Sequence, residues 1–137
     1  MNRTVEYITG DELAAHLRTD RDGTVVLDVR DEDFKELGCV KGCVNIEASI
    51  LGDPNGTALD EFIRSYLRRS RTRRVVVHCY LSMQRGPAVA HRLRKRLEEL
   101  EDQGDPLLSP ADVYVLKRGF RAFFTAFKGE EDLVVVH

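Results

Sequence analysis

Cys79 and Arg85 stand at the two ends of the loop "CYLSMQR", which follows the apolar run Val75-Val76-Val77 and is closed by Gly86-Pro87. A thiol and a guanidinium at this spacing can do nucleophilic chemistry on an oxyanion. The sulfur attacks, and the planar fork of the arginine grips two oxygens of a tetrahedral anion. The reactive form is the thiolate. A free cysteine ionises near pH ~8.5, and a helix N-terminus or an adjacent cation lowers this to roughly 3.5–7.5, so Cys79 is expected to be ionised at neutral pH. Between the two lie Tyr80, Leu81, Ser82, Met83 and Gln84. Curled back on itself, such a loop turns successive backbone N–H groups inward as an anion-binding nest. With Arg85 these five residues form the expected substrate-binding loop, and the Ser82 hydroxyl can donate to the sulfur.

Such a loop needs a strand before it and a helix after it. "RVVVH" supplies the strand, and Val89, Leu93, Leu97 and Leu100 mark the helix. Gly86 is the expected N-cap and Pro87 the first helical residue, where its missing N–H costs nothing. The unpaired amides and positive end of this helix then face the loop. Upstream, "EYIT" reads as a first strand and "GDELAAHLR" as a helix capped by Asp11, with Leu13, Ala14, His16 and Leu17 at helical spacing. Thr24 to Val29 reads as a strand buried on both faces, and Val44 to Ile46 as a third strand. Between them "DEDFKEL" has room for about two helical turns.

Leu59, Phe62, Ile63, Tyr66 and Leu67 form an amphipathic stripe. "DVYVL" is a fifth strand, and Phe120, Phe123, Phe124 and Phe127 belong to a closing helix. This alternation predicts an α/β fold with a five-stranded, mostly parallel sheet and helices on both faces, in a single domain over residues 1–137. Ligands of such sheets bind beyond the carboxyl ends of the strands, where Cys79 falls.

Composition narrows the partners. With 42% hydrophobic and 32% charged residues the chain reads as a globular protein. No apolar run is long enough to span a membrane, and "MNRTVEYITG" lacks the apolar core of a leader, so cytoplasm or nucleus is expected. Three irregularly spaced cysteines fit a reducing compartment rather than a disulfide framework. Cys39 and Cys43 read as packed, inert thiols, with a resolving role for one of them as the alternative. Their spacing, with no second pair, is poor for zinc, and no metal is expected.

The net charge is only −2, but Phe62 to Leu97 holds 11 Lys/Arg and no Asp or Glu. A field from this block would draw an anion toward the loop. Nucleic acid is not expected, because no interleaved aromatic surface accompanies the charge. Asp28 and Arg30 end a strand on the active side, and a structural ion pair is the expected role of Asp28, with an acid role as the alternative. His78 is turned away from Cys79 by strand alternation and reads as loop support. His16 and His91 read as structural or surface residues.

"HCYLSMQRGP" resembles the active-site loop of the rhodanese-fold cell-cycle dual-specificity phosphatases and their relatives, the eukaryotic arsenate reductases. The resemblance covers nearly the whole chain. "LDVRDEDFKELGCVKGCVNI" looks like the family's Asp-x-Arg and Gly-His-Ile-x-Gly-Ala-x-Asn segment, and "VYVLKRGFRAFF" is similar to its closing strand, glycine and aromatic helix. It implies a rhodanese-like fold, Cys79 as nucleophile and Arg85 as oxyanion grip. Rhodanese sulfurtransferases typically have a loop one residue shorter, and a longer ring of amides suits a four-oxygen anion better.

Three departures bear on the reaction. An acidic residue follows the nucleophile in the cell-cycle phosphatases, and here that position is Tyr80. Some relatives carry a protective cysteine where Val29 stands. The extended docking tail of the cell-cycle enzymes is not evident after Phe127. Arsenate needs no protonated alkoxide leaving group, so these features lean toward an arsenate reductase with phosphatase activity. The resemblance implies no bound cofactor, with glutathione and glutaredoxin as reductants. A protein phosphatase, a thiosulfate sulfurtransferase and a non-catalytic anion-binding module are the alternatives.

Overall fold

The structure, a computed structural model, describes residues 4–137. Met1–Arg3, part of the segment read for a leader, lie outside the described residues. Five strands form one sheet: β1 (Glu6–Ile8), β2 (Thr24–Asp28), β4 (Val44–Asn45), β5 (Arg74–His78) and β6 (Asp112–Leu116). Their order is β1-β6-β5-β2-β4, and every pairing is parallel. The chain departs from the middle of the sheet in opposite directions, so the ends of β2 and β5 flank the switch point where such folds bind ligands. That adjacency brings Asp28-Val29-Arg30 beside Cys79, since Asp28 is in register with His78.

Strand alternation divides the core in two. Leu27, Val75, Val77, Val113 and Val115 face α3 (Thr57–Tyr66) and α4 (Arg85–Asp102), where Phe62, Ile63, Leu93 and Leu97 pack. Val26, Val76 and Leu116 face α1 (Gly10–Thr19) and α5 (Gly119–Phe127), where Leu13, Leu17, Phe120 and Phe123 pack. A short helix, α2 (Ala48–Leu51), leads from β4 toward α3. No helix of the described residues is long and apolar enough to cross a membrane.

Several local expectations give way to tertiary or capping effects. Thr9, not Asp11, caps α1: its hydroxyl accepts from Glu12 N–H at 3.1 Å, and the Glu12 carboxylate accepts from Thr9 N–H at 3.0 Å. This reciprocal box satisfies two donors where Asp11 would satisfy one. "DEDFKEL" forms only a 3-10 turn over Glu32–Lys35. A second, two-stranded antiparallel sheet joins β3 (Gly38–Val40) to β7 (Val134–Val136). Neither its existence nor α2 was expected.

Candidate active site

β5 delivers Cys79 on the α4 face of the sheet, and the loop then turns at Ser82, whose φ of 53° is left-handed. Such a residue among right-handed neighbours is how a nest of amides forms. The helix begins two residues earlier than expected: Gln84 is the N-cap of α4, and Gly86 lies inside it. Gly86 is needed for close approach instead. A Cβ there would come within 3.2 Å of Cys79 N and 3.4 Å of the His78 backbone. Its N–H donates to the buried Cys79 sulfur at 3.3 Å. The sulfur thus rests against the amide end of α4.

α5 braces the loop from outside. Phe120 N–H donates to Cys79 O at 3.0 Å and Arg121 N–H to Tyr80 O at 3.1 Å. Gly119, at φ +67°, makes this possible, because a Cβ there would lie 2.4 Å from Tyr80 O. With these carbonyls held, the amides of Tyr80, Leu81, Ser82, Met83 and Gln84 donate to no protein acceptor among the described residues. Leu81, Met83 and Gln84 are exposed, Tyr80 is half-buried, and what Leu81 and Met83 offer an oxyanion is backbone. The Ser82 hydroxyl is buried without a protein partner and does not bond the sulfur, contrary to expectation. Its environment is therefore that of a donor awaiting an acceptor.

Arg85 departs from the expected arrangement. Its Nη1 and Nη2 donate to Asp33 Oδ1 and Oδ2, both at 2.8 Å, and Nη1 lies 3.4 Å from Asp31 Oδ2. The pair shifts both partners: the guanidinium holds the Asp33 carboxyl below its usual range, and Asp33 pushes Arg85 further up. The sequence reading missed both carboxylates. Their signal was the acidic run directly after Asp-x-Arg, which identifies no partner until β2 and β5 are placed side by side.

Asp28 is fully buried and committed to Arg30, with Arg30 Nη2 at 2.7 Å from Asp28 Oδ2 and Arg30 Nε at 3.0 Å from Oδ1. Arg30 also donates to Gly38 O at 2.7 Å and Glu36 O at 3.1 Å, and lies over the rings of Phe34 and Phe120. It therefore ties down the turn that carries Asp31 and Asp33. His78 is fully buried, its ring stacked on Phe120 and its Nδ1 3.1 Å from Cys79 O. Burial pushes this imidazole below its ordinary value, leaving Nδ1–H to donate to the carbonyl. Asp28 Oδ2 is 3.7 Å from Nε2, too far for a hydrogen bond.

Val29 is buried in the core. Cys39, on β3, and Cys43 are partly buried neighbours, and burial pushes both thiols up. His16 is half-buried on α1 and His91 exposed on α4, both away from the loop sequence.

A groove of about 590 Å³ opens beside Arg85, between α2 and the start of α4, with Asp31, Ala48, Gly52, Ala88, Val89 and Arg92 among its walls. The basic block contributes less than its count suggests. Arg64, Arg68, Arg74, Arg94 and Arg96 pair with Glu61, Asp105, Asp20, Glu101 and Asp60. Arg69, Arg71 and Arg73 precede β5, at the opposite end of the strand from Cys79. Arg85 and Arg92 line the groove beside the loop, and Arg85 is itself paired with Asp33, so the expected field is weaker than the count implies.

Comparison with known proteins places this geometry. The chain is 30% identical to the dual specificity phosphatase Cdc25 of Arabidopsis thaliana, over 90% of the chain and 75% of that protein. It is 27% identical to M-phase inducer phosphatase 1-B of Xenopus laevis, of whose length it spans 23%. A yeast protein tyrosine phosphatase of the rhodanese family superposes with a TM-score of 0.73 at 26% identity, covering 98% of this chain and 94% of that one. The As-Sb reductase of Leishmania major also superposes at 0.73, covering 93% and 82%, and at 22% identity it shares the fold. The rhodanese-like domain model matches residues 9–126, and the chain belongs to that family.

Proposed function

We propose that this protein is a cysteine-dependent oxyanion enzyme whose main reaction is the hydrolysis of phosphate monoesters. The observation that carries the reading is the Cys79 sulfur, 3.3 Å from the Gly86 amide of α4 at the start of the loop that ends in Arg85. The phosphoryl group sits over the sulfur, with the loop amides, the Ser82 hydroxyl and Arg85 on its oxygens. The Cys79 thiolate attacks phosphorus, the ester oxygen leaves as an anion that takes its proton from water, and a second water then displaces the sulfur and releases phosphate. The groove beside Arg85 gives the leaving group a partly apolar berth. Tyr80 supplies no acid where the family's cell-cycle enzymes have one, which suits phenols because they leave with less help from a proton donor. The phosphatase names of the Arabidopsis, Xenopus and yeast relatives support the same reading.

Arsenate reduction is the second reading, favoured by Tyr80 because arsenate sheds water rather than an alkoxide. Cys79 would form a thiol–arsenate adduct, glutathione would attack the sulfur and release arsenite, and glutaredoxin would clear the mixed disulfide. Both chemistries call for a reducing compartment such as cytoplasm or nucleus.

Side-by-side turnover separates the readings. Wild type and Cys79→Ser are assayed with an aryl phosphate, with arsenate plus glutathione and glutaredoxin, and with thiosulfate plus cyanide. Aryl phosphate hydrolysis abolished by Cys79→Ser is the expected outcome. Faster arsenate turnover establishes the second reading, and dominant thiocyanate formation makes the protein a sulfurtransferase. Hydrolysis that survives Cys79→Ser rules out the scheme.

A further inference from the structure

The guanidinium of Arg85 has two edges, and Asp33 occupies only one. Both Asp33 oxygens take the Nη1/Nη2 end of the fork at 2.8 Å. Nε has no partner among the described residues. On a planar guanidinium the Nε–H and the outer Nη2–H lie parallel on a second edge, which is itself a bidentate site for two oxygens of an oxyanion. We propose that Asp33 is a positioning residue for Arg85, holding one edge of its fork so that the Nε/Nη2 edge is set for the substrate oxyanion. The proposal rests on the reading of the loop as an oxyanion site and names a residue that acts on it without touching substrate.

Asp33 is well placed for this. It stands on the short turn after β2, whose carbonyls at Glu36 and Gly38 are held by the fully buried Arg30. Its Oδ1 also accepts from Asp31 N–H at 3.0 Å, which closes the turn around the carboxylate. A rigid β2 end thus reaches across the switch point and sets the side chain that begins α4. An unheld arginine loses rotamer freedom each time it grips an anion, and Asp33 has already removed that freedom.

A competing effect has the opposite sign. The Asp33 charge repels an incoming dianion, so its removal would tighten binding if charge mattered more than position. The pair is about one-third exposed on both sides, where solvent screens repulsion, while orientation of the fork is not screened. Positioning therefore dominates.

The test measures inorganic phosphate binding by calorimetry on the full chain, which requires no turnover. The proteins are wild type, Asp33→Asn, Arg85→Lys and the double variant. Asparagine keeps an acceptor for Asp31 N–H and for one Nη, so the turn retains its closure. Lysine keeps the charge of Arg85 and loses the fork, which leaves binding measurable. Asp33→Asn should weaken phosphate about tenfold in the Arg85 protein and less than about twofold in the Lys background. Equal or tighter binding by Asp33→Asn overturns the proposal, as does an equal loss in both backgrounds, which is what a purely structural role gives. Absence of phosphate binding by wild type overturns the functional reading and the proposal with it. Should Asp33→Asn fail to fold, the Arg85 Nε–H resonance of wild type decides: a shift on phosphate addition supports the proposal, and an unmoved signal at saturation overturns it.

Discussion

Gly119 shows how far along the chain a residue that braces the Cys79–Arg85 loop can lie. Its φ of +67° suits glycine, and a Cβ would sit 2.4 Å from Tyr80 O and 2.7 Å from Leu81 Cα, both backbone atoms that cannot rotate aside. Gly119→Ala must therefore shift either α5 or the loop that α5 braces. We expect a destabilisation of about 1–3 kcal/mol. Hydrolysis of an aryl phosphate should fall disproportionately, by about tenfold or more in kcat/KM, because misplacing catalytic groups by an ångström costs that much. Urea denaturation and steady-state kinetics on the same preparation check both halves. Cys79 and Arg85 were legible in the sequence because they are near neighbours along the chain and their types declare their chemistry. Gly119 and Asp33 reach the loop only through tertiary approach, so no local pattern pairs either of them with it. Gly86 was legible as important, but for a capping role that Gln84 takes.

At the scale of elements, the segment after β2 is decided by one buried side chain. Helical spacing allowed about two turns for "DEDFKEL". Arg30 donates to the carbonyls of Asp33, Glu36 and Gly38, and Leu37 turns left-handed at φ 67°, so the segment is limited to a 3-10 turn. β3 and β7 were illegible for a related reason: each has three residues, and they are joined by long-range pairing that no local pattern announces. The central strands were legible because their valine runs are buried on both faces. Arg30→Ala should cost about 3–5 kcal/mol, since it strands the Asp28 carboxylate in the core. Replacing both partners, Asp28→Leu with Arg30→Met, should cost less than Arg30→Ala alone, because no unpaired charge remains. Denaturant midpoints for the three proteins provide the comparison, and a double variant less stable than Arg30→Ala would remove the ion pair as the cause.

Across the whole molecule, charge and core are arranged so that the candidate site lies at the sheet's carboxyl end. The basic block, prominent in the sequence, is largely neutralised by acidic residues from outside it, so a linear count overstated its field. Burial has a global consequence at His78, which lies on the α5 face with its ring against Phe120 and Asp28 Oδ2 3.7 Å from Nε2. Burial depresses its folded pKa despite the pull of Asp28, whereas the unfolded chain titrates near ~6.5. On acidification the unfolded state binds this proton first. The stability that neutral His78 contributes is therefore complete above about pH 6.5 and is lost as pH falls from there toward the folded pKa, at no more than about 1.4 kcal/mol per pH unit. Urea denaturation of wild type and His78→Gln between pH 7.5 and 5 isolates the effect, since the remaining titrating groups are common to both. Wild type should lose stability faster than the variant below pH 6.5. Parallel curves would show that the buried imidazole is not the group through which acid destabilises the fold.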